Sequence, residues 1–482
     1  MTTTPVAVRA EAAAPESGPS RQGAILAVVL VSYFMILLDN SVIFTGLPSI
    51  RDGLDLSPAS LSWVQDAYTL VFGGLLLLGA RAGDLLGRRR VLVAGLAVFG
   101  IASLLIGLAP AGWWMIAGRA LQGIGAAIVA PTSLALITAH FEGEARSRAI
   151  AWYAATAGIG ASLGLLVGGA LTSWVSWRAA FVVNVPIAAT MILGARRVLP
   201  ESPRLPGRFD VVGAVCATLG VGALVFGVIE SGAAGWTSAR VLVALAAGVL
   251  LLGALVANEA RVAQPVMPLR LFRGRERSVA YATRFLYLGA MIGFFFFTTQ
   301  YLQDTLGFTP LQAGLGFLPM TVVNFAVATA VPRLTRCLPG AWLLAAGTAL
   351  TLAGMAWLSR ASAADAYLAA VALPMMLVGA GQGLVFAPLT SAGLAGVEPA
   401  DAGAASGVLN TAHQLGMALG LAVLVAAAAH AGTTGAGQAS GDLRIALTGG
   451  SVMLALALVL VLVLIVPTSQ TARSRRPESV QS

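Results

Sequence analysis

Long apolar runs separated by short polar segments follow one another along most of the chain. A helix that crosses a bilayer needs about 20 mostly apolar residues. Lipid cannot hydrogen-bond the backbone, so each such run must be a helix. An outer-membrane barrel would show short alternating segments instead, and this pattern excludes it. The pattern predicts fourteen spanning helices, which lie near residues 24–47, 61–80, 91–109, 113–138, 149–172, 180–198, 209–230, 241–258, 279–302, 312–334, 341–359, 367–390, 405–429 and 446–467.

Two of these runs carry related sequences, which indicates an internal duplication. The fourth contains QGIGAAIVAPTSLAL (122–136) and the twelfth contains GAGQGLVFAPLTSAGL (379–394). Transporters are commonly built from repeated halves, with the binding site between them. We therefore expect an all-α integral membrane protein with two six-helix halves and an inserted two-helix hairpin. The predicted order is a disordered cytoplasmic tail at 1–23, an N-terminal half at 24–198, the hairpin with its flanking loops at 199–278, a C-terminal half at 279–467 and a second cytoplasmic tail at 468–482.

Composition narrows the class of protein further. The 482 residues are 58% hydrophobic and 10% charged, whereas soluble domains carry about 25% charged residues. The net charge of +9 comes from arginines dispersed in short clusters between apolar runs, so nucleic acid is not an expected partner. The two cysteines have no CxxC spacing, and neither a metal site nor a disulfide framework is expected.

The arginines also predict the orientation of the chain. If the N-terminus is inside, most of the 29 basic residues fall on the inner side, including the cluster Arg88–Arg90. Inner loops of membrane proteins carry such an excess of positive charge. We expect a multi-pass protein of the cytoplasmic membrane that has both termini in the cytoplasm, contacts lipid and functions as a monomer.

Three ionisable residues are expected inside the predicted spans at a common depth. With a rise of about 1.5 Å per residue, Asp39, Asp66 and Arg119 all fall roughly 8–9 Å below the outer surface of the membrane. Such residues usually face a cavity or pair with one another. Asp39 is therefore either a site that binds and releases protons or one member of a permanent ion pair with Arg119. Asp66 is either a second such site or a residue at the water interface.

The loop GARAGDLLGRRRVL (79–92) combines charges with glycines between the second and third spans. Asp84, Gly87, Arg88 and Arg89 are candidates for a charged latch against a neighbouring helix. The alternative is the ordinary excess of positive charge on the inner side. That alternative accounts for the arginines but not for Asp84 and Gly87 at this spacing.

The fifth predicted span is rich in glycine, in the sequence AGIGASLGLLVGGAL. Gly160, Gly164 and Gly168 are four residues apart and share one face, and Gly169 directly follows the third. Small residues at this spacing let another helix backbone approach closely. The face is either a fixed packing contact or a moving contact between the halves.

Taken together, these segments resemble the fourteen-span drug:proton antiporters of the major facilitator superfamily over nearly the whole chain. LLDNSVIFTGLP is similar to the family's first-span signature, RAGDLLGRRR to its loop motif, RALQGIG to its fourth-span motif and the fifth-span glycines to its antiporter motif. SWRAAFVVNVP, TQYLQDTLGFTPLQAGLGFLP and AGAASGVLNTAHQLGMALG are also similar to segments of this branch. Five positions depart from the family pattern: Ser41 replaces Thr, Phe44 replaces Asn, Ala80 replaces Gly, Leu165 replaces Pro and His413 replaces Arg.

The resemblance implies the major facilitator fold and export coupled to the entry of protons. It places Asp39 and Arg119 in the coupling, with protons as the coupling ion and no cofactor. Asp66 and His413 are further candidates, the latter because histidine titrates near physiological pH. Side chains expected to face a central substrate cavity are Gln122, Gln300, Tyr301, Gln303, Asn324, Asn410 and Gln414. For each of these, and for His413, the alternative is a contact between helices.

These features predict a proton-coupled exporter of hydrophobic or amphipathic drugs or antibiotics. An exporter dedicated to one metabolite, such as a self-made antibiotic, is the nearest alternative, and a proton symporter is another. A membrane enzyme would need clustered metal ligands or a nucleophile–base pair, and a sensor would need an output domain. The three histidines are scattered along the chain, so we do not expect an enzyme.

Overall fold

The computed structural model describes residues 19–467 apart from 203, 205–208, 263–264, 266, 363–364, 399–400 and 433–437. All regular structure in these described residues is helical. They contain 14 helices long and apolar enough to cross a membrane, which confirms the predicted number. Residues 1–18 and 468–482, which hold most of the predicted tails, lie outside the described part of the chain. The exact domain boundaries stay predictions.

Seven helices form the first six spans. Pro186 has no N–H to donate to the carbonyl of Val182, and the sixth span is interrupted at Val183 between two helices. The sequence pattern predicts one continuous helix here, because so short a break leaves the apolar run intact. The helices are α1 (Pro19–Leu54), α2 (Pro58–Leu86), α3 (Arg88–Gly107), α4 (Gly112–His140), α5 (Gly143–Trp174), α6 (Trp177–Val182) and α7 (Asn184–Val198).

Nine helices form the remaining eight spans. The tenth span is interrupted at Phe317, just before Pro319 in the first turn of the next helix. Single π-helical turns at Tyr301–Thr305, Leu368–Ala372 and Val461–Ile465 extend three of the spans. The helices are α8 (Val211–Ala234), α9 (Ala239–Glu259), α10 (Arg275–Gln300), α11 (Pro310–Gly316), α12 (Leu318–Cys337), α13 (Gly340–Leu358), α14 (Leu373–Gly393), α15 (Ala402–His430) and α16 (Gln438–Leu460).

Each half packs around apolar side chains of its own helices. In the N-terminal half, Leu96 and Phe99 of α3 are fully buried in one cluster. In the C-terminal half, Phe294 of α10 and Leu344 of α13 are fully buried in a larger cluster. This second cluster also contains Leu47, from the last part of α1. The two halves therefore share a core where α1 ends.

We refer to the two ends of the bundle by a residue found at each. The first helix ends at the Leu54 end, and α2 turns into α3 at the opposite end, the Arg88 end. Successive spans alternate in direction, so odd-numbered spans run from the Arg88 end to the Leu54 end.

The inserted helices α8 and α9 pack against each other on the outside of the bundle. Val225 of α8 lies in one buried cluster with Leu70 of α2 and Ala418 of α15. Helix α8 thus covers the contact between α2 and α15, which belong to different halves. Helix α9 exposes large apolar side chains such as Val243 and Leu250, which is a surface suited to lipid.

The glycines of α5 set its distance from two neighbours. A Cβ atom at Gly160, Gly164 or Gly168 would lie 2.9 Å or less from an atom of α1. A Cβ atom at Gly169 would lie 2.9 Å from the Cα atom of Leu311, in the C-terminal half. The first three glycines therefore serve packing inside one half, and the fourth serves the contact between the halves.

Replacing Gly164 by a larger residue tests the close packing of α5 on α1. The Cβ atom of Gly164→Val would lie 2.8 Å from the carbonyl oxygen of Leu38. Overpacking of this kind typically costs about 1–3 kcal/mol, so we expect a lower midpoint of thermal unfolding in detergent. The control is Gly158→Val on the same helix, because no atom lies within 4 Å of its added Cβ. Equal losses in both variants would point to helix propensity instead of packing.

Candidate functional site

Asp39 lies at the centre of a fully buried polar cluster. Its Oδ2 atom accepts a hydrogen bond of 2.8 Å from Nη1 of Arg119. Its Oδ1 atom accepts bonds of 2.7 Å from the side-chain amides of Gln122 and Asn184. All four side chains are fully buried. The cluster joins α1, α4 and α7, and its three donors favour the ionised form of the carboxylate.

Arg119 makes further contacts that connect the cluster to α2. Its Nε atom donates to the carbonyl oxygen of Val64 at 3.0 Å, and its guanidinium carbon lies 4.2 Å from the ring centroid of Tyr68. Gln122 also donates to the Ser103 hydroxyl of α3 at 2.9 Å. A single ion pair therefore organises side chains from five helices of the N-terminal half.

Asp66 is equally buried but has a different environment. Neither of its carboxylate oxygens has a hydrogen-bond partner among the described residues. Asp66 and Gly73 are two helical turns apart on one face of α2, and a Cβ atom at Gly73 would meet Gln414 of α15. This face belongs to the contact between α2 and α15, which we call the seam. An ionised carboxylate without partners at such a site is costly.

The predicted loop of residues 79–92 is helical except at Gly87, which separates α2 from α3, and its side chains contact the N-terminal half. The Nη2 atom of Arg88 pairs with Asp84 at 3.1 Å, and its Nη1 atom donates to the carbonyl oxygen of Ala135 at 3.2 Å. Its backbone N–H donates to the Ser202 hydroxyl at 2.9 Å. Gly87 has a φ of 99°, a conformation that favours glycine.

The segment that follows α7 contacts Arg89 and Arg90 at the start of α3. The Nε atoms of Arg89 and Arg90 each lie 3.4 Å from Oε2 of Glu201, and Arg89 donates to the carbonyl oxygen of Leu199 at 3.2 Å. A Cβ atom at Gly87 would collide with the Glu201 carboxylate. The loop therefore forms a charged contact whose partner lies beyond α7.

The C-terminal half has its own ion pair at the Arg88 end. Arg270 donates from Nε and Nη2 to the Asp401 carboxylate at 2.8 and 2.6 Å. This contact lowers the pKa of Asp401, chiefly through the hydrogen bond from Arg270. Arg277 donates to the carbonyl oxygens of Ala395 and Gly396. These polar contacts at the Arg88 end thus lie within one half.

At the Leu54 end, polar contacts join the two halves instead. Arg51 donates to both oxygens of Asp304, at 2.7 and 3.1 Å. Gln303 donates to the carbonyl oxygen of Thr45 at 3.0 Å. Below them, Phe44 of α1 stacks on Phe295 of α10 with ring centroids 5.3 Å apart. The halves are therefore closed against each other at this end.

The structure distributes the predicted cavity residues over several environments. Gln122 lies in the Asp39 cluster and Gln303 at the Leu54 end. Gln300 and Asn410 donate to backbone carbonyl oxygens of their own helices. The Tyr301 hydroxyl donates to the backbone carbonyl oxygen of Ser362. Gln414 lies at the seam, and Asn324 is half-buried on α12. Their assignment to substrate binding stays a prediction.

Two residues that sequence reasoning missed stand out in the structure. Asn184 completes the Asp39 cluster, and its signal was a lone amide in the apolar run FVVNVP. Arg284 lies inside α10 with its Nη2 atom 3.2 Å from Nδ1 of His413. Ionisable residues inside membrane spans usually have a function, which is why Asp39 is selected from the sequence. The same argument applies to Arg284.

Two halves of six apolar spans each and an inserted pair of spans, with buried charges inside the bundle, define a polytopic membrane transporter. The sequence profile of the Major Facilitator Superfamily matches residues 29–421. The chain belongs to this superfamily, as its motifs predict, and it is a transporter and not an enzyme.

Three relatives with named functions show the branch in which the chain lies. It is 42% identical to the cephamycin export protein CmcT of Amycolatopsis lactamdurans, over 83% of this chain and 84% of that protein. It is 38% identical to the puromycin resistance protein pur8 of Streptomyces alboniger, over 87% and 84%. It is 34% identical to the multidrug resistance protein Stp of Mycobacterium tuberculosis, over 81% and 73%.

Solved structures share the fold at low sequence identity. A bacterial homologue of the human lysosomal transporter Spinster, in an inward-facing and unoccupied conformation, has a TM-score of 0.66 at 17% identity and covers 96% of this chain and all of that one. The human organic anion transporter MFSD10 has a TM-score of 0.60 at 19% identity, over 92% of this chain and 100% of that one. At these identities the likeness shows the fold alone.

A double-mutant cycle tests the buried ion pair. Asp39→Asn leaves Arg119 as an unpaired cation, so we expect a loss of about 3–5 kcal/mol in the free energy of unfolding. Arg119→Gln strands the carboxylate and has a similar cost. The double variant removes both charges and should recover much of the loss, as measured by thermal unfolding in detergent.

The control for this cycle is an exposed pair on α5. Arg148 and Glu144 are 71% and 87% exposed and lie 3.9 Å apart, so their coupling should be about 0.5 kcal/mol or less. Additive losses at Asp39 and Arg119 would contradict an organising ion pair.

Proposed function

We propose that the protein exports an antibiotic or a related amphipathic drug across the cell membrane in exchange for protons. The relatives named above are export and resistance proteins, which supports the direction and the class of substrate. The observation that carries the proton coupling is Asp66, a fully buried carboxyl group at the seam without a hydrogen-bond partner among the described residues.

The two buried carboxyl groups have different roles in this proposal. Asp66 is protonated while the seam excludes water, because the neutral form costs far less there than the ion. Separation of α2 from α15 hydrates Asp66, which then releases its proton. Asp39 is held ionised by Arg119 and two amides, and it binds a proton once a movement of α4 or α7 removes those donors. Arg119 is thus a positioning residue for Asp39.

The orientation of the chain follows from its arginines. We place the Arg88 end in the cytoplasm, together with both termini, because that end carries most of the positive charge. The Leu54 end then faces outward, and the inter-half contacts of Arg51 and Gln303 close the outer side in this conformation. The cavity between the halves accordingly opens towards the cytoplasm, where an exporter loads its substrate.

A second candidate is an exporter dedicated to one self-made antibiotic. The 42% identity of this chain to the cephamycin export protein favours this candidate. The 34% identity of this chain to a methylenomycin A resistance protein of Streptomyces coelicolor favours it as well. A resistance profile in a susceptible host separates the two candidates, because a dedicated exporter protects against one structural class of compound.

Transport by reconstituted protein tests the role of Asp66. In liposomes with an imposed pH gradient, we expect accumulation of a transported compound from a panel of puromycin, ethidium and an uncharged antibiotic. Asp66→Asn is permanently neutral, so accumulation should fall to the level of empty liposomes. Exchange of labelled for unlabelled compound without a gradient should persist, because that exchange needs no proton release.

The control variant is Glu144→Gln, which removes an acid that is 87% exposed on α5. It should accumulate the compound as wild type does. Normal gradient-driven accumulation by Asp66→Asn would overturn the role of Asp66, and Asp39→Asn would then be compared in the same assay.

Accessibility of the cavity from outside tests the contact between Arg51 and Asp304. Asn40 is half-buried on α1 and accepts a hydrogen bond from Gln65 of α2 at 3.3 Å. In a chain with Cys216→Ser, Cys337→Ser and Asn40→Cys, an impermeant maleimide added to cells should react slowly. Adding Arg51→Glu sets two carboxylates against each other and should raise the labelling rate about five-fold, the equivalent of about 1 kcal/mol. The reversed pair Arg51→Glu with Asp304→Arg should restore slow labelling; equal rates in the single and reversed variants would refute the contact as a gate.

A further inference from the structure

Arg284 is a second buried cation, located in the middle of α10. Its side chain is 6% exposed. Nη2 lies 3.2 Å from Nδ1 of His413, and Nη1 lies 3.5 Å from the hydroxyl of Thr390. Its guanidinium carbon lies 4.8 Å from the ring centroid of Phe386. These neighbours come from α14 and α15, so three helices of the C-terminal half surround the cation.

No acid balances this charge among the described residues. None of their carboxylate oxygens lies within the 4.0 Å of an ion pair with Arg284, whereas Arg119 has Asp39 at 2.8 Å. The Nε atom of Arg284 also has no hydrogen-bond partner there. An unpaired cation inside a membrane protein is costly, and in membrane proteins such residues mark pathways and sites.

The surroundings of Arg284 include an aromatic wall from the other half. Tyr33 of α1 and Tyr153 of α5 stack with ring centroids 4.0 Å apart and planes within 11° of each other. Tyr33 lies close enough to Arg284 for its hydroxyl to be influenced by the guanidinium charge. Tyr33, Tyr153 and Phe386 are half-buried within spanning helices, and each packs against the apolar cluster of its own half. Aromatic rings of both halves therefore lie near the Arg284 charge.

The protonation of His413 follows from its contact. Arginine has donors and no acceptor, so Nδ1 of His413 accepts from Arg284 and carries no proton. The remaining nitrogen, Nε2, is then the N–H donor of a neutral ring. The Thr390 hydroxyl donates to the carbonyl oxygen of Phe386 at 2.8 Å, so towards Arg284 it acts as an acceptor. The site therefore presents a guanidinium and an imidazole N–H, and both are donors.

We propose that Arg284 and His413 form an anion-binding subsite of the transport cavity, which takes the carboxylate of an amphipathic substrate. A free Nε beside an Nη matches the two oxygens of a carboxylate, which is the geometry of a paired guanidinium contact. The apolar part of the substrate lies between the Tyr33–Tyr153 stack and Phe386. The uncompensated cation repels cationic drugs. This inference rests on the proposed function, because it names the class of substrate that is exported.

A binding measurement in detergent tests the subsite without requiring transport. The probes are N-dansylphenylalanine, which carries a carboxylate, and its methyl ester, which has the same aromatic body without the charge. We expect wild type to bind the acid about tenfold more tightly than the ester, which is the size of effect of a charged hydrogen bond. Arg284→Gln should remove this preference and leave ester binding unchanged, which also shows that the variant is folded.

Two further variants sharpen this measurement. Arg284→Lys keeps the charge without the planar pair of donors, so it should retain part of the preference. Arg240 lies on the peripheral helix α9, and its side chain is 81% exposed. The variant Arg240→Gln should therefore bind both probes as wild type does. Equal binding of acid and ester by wild type, or an undiminished preference in Arg284→Gln, would overturn the proposal.

The same probes in liposomes separate this inference from the proposed function. Acid preference in detergent that is lost in Arg284→Gln supports the subsite, whether or not a pH gradient drives uptake. If no probe moves under a gradient while the preference persists, proton-coupled export fails and the subsite stands. If the gradient drives uptake of the ester and of ethidium as well as of the acid, with no effect of Arg284→Gln, export stands and the subsite fails.

Discussion

The ion pair of Asp39 and Arg119 is the constraint on which the N-terminal half depends. Both groups are fully buried, and each would be costly alone. Asp39 accepts further bonds from Gln122 and Asn184, and Arg119 donates to Gln122, so these bonds tie α1, α4 and α7 together. A movement of α4 or α7 relative to α1 requires these bonds to break, whereas the contacts with the other half can separate without it.

Those contacts combine close approach at glycines with the Arg51–Asp304 ion pair and the Phe44–Phe295 stack. At the seam, Gly73 admits the side chain of Gln414, and at the Leu54 end Gly169 admits the backbone of Leu311. Close approach at glycines lets two helix surfaces separate and return at modest cost. The same approach keeps water from Asp66, so the opening of the seam and the hydration of this carboxyl group are a single event.

Much of this arrangement could be predicted from the sequence, because its physical causes are local. Hydropathy and the need to satisfy the backbone give the fourteen spans, and the rise per residue places Asp39 and Arg119 at one depth. The rotation of each helix about its axis is set by packing between distant segments. Asn184 as a partner of Asp39, the isolation of Asp66 and the meeting of Arg284 with His413 all depend on that rotation.

In this proposal, proton binding and substrate binding use ionisable groups in different halves of the protein. The carboxyl groups Asp39 and Asp66 belong to the N-terminal half, whereas the unbalanced cation Arg284 belongs to the C-terminal half. A proton and an anionic substrate would then not compete for one side chain. Their binding is linked instead through the conformations that each favours. A carboxylate bound at Arg284 also neutralises the cation, so the loaded cavity closes at a lower electrostatic cost than the empty one.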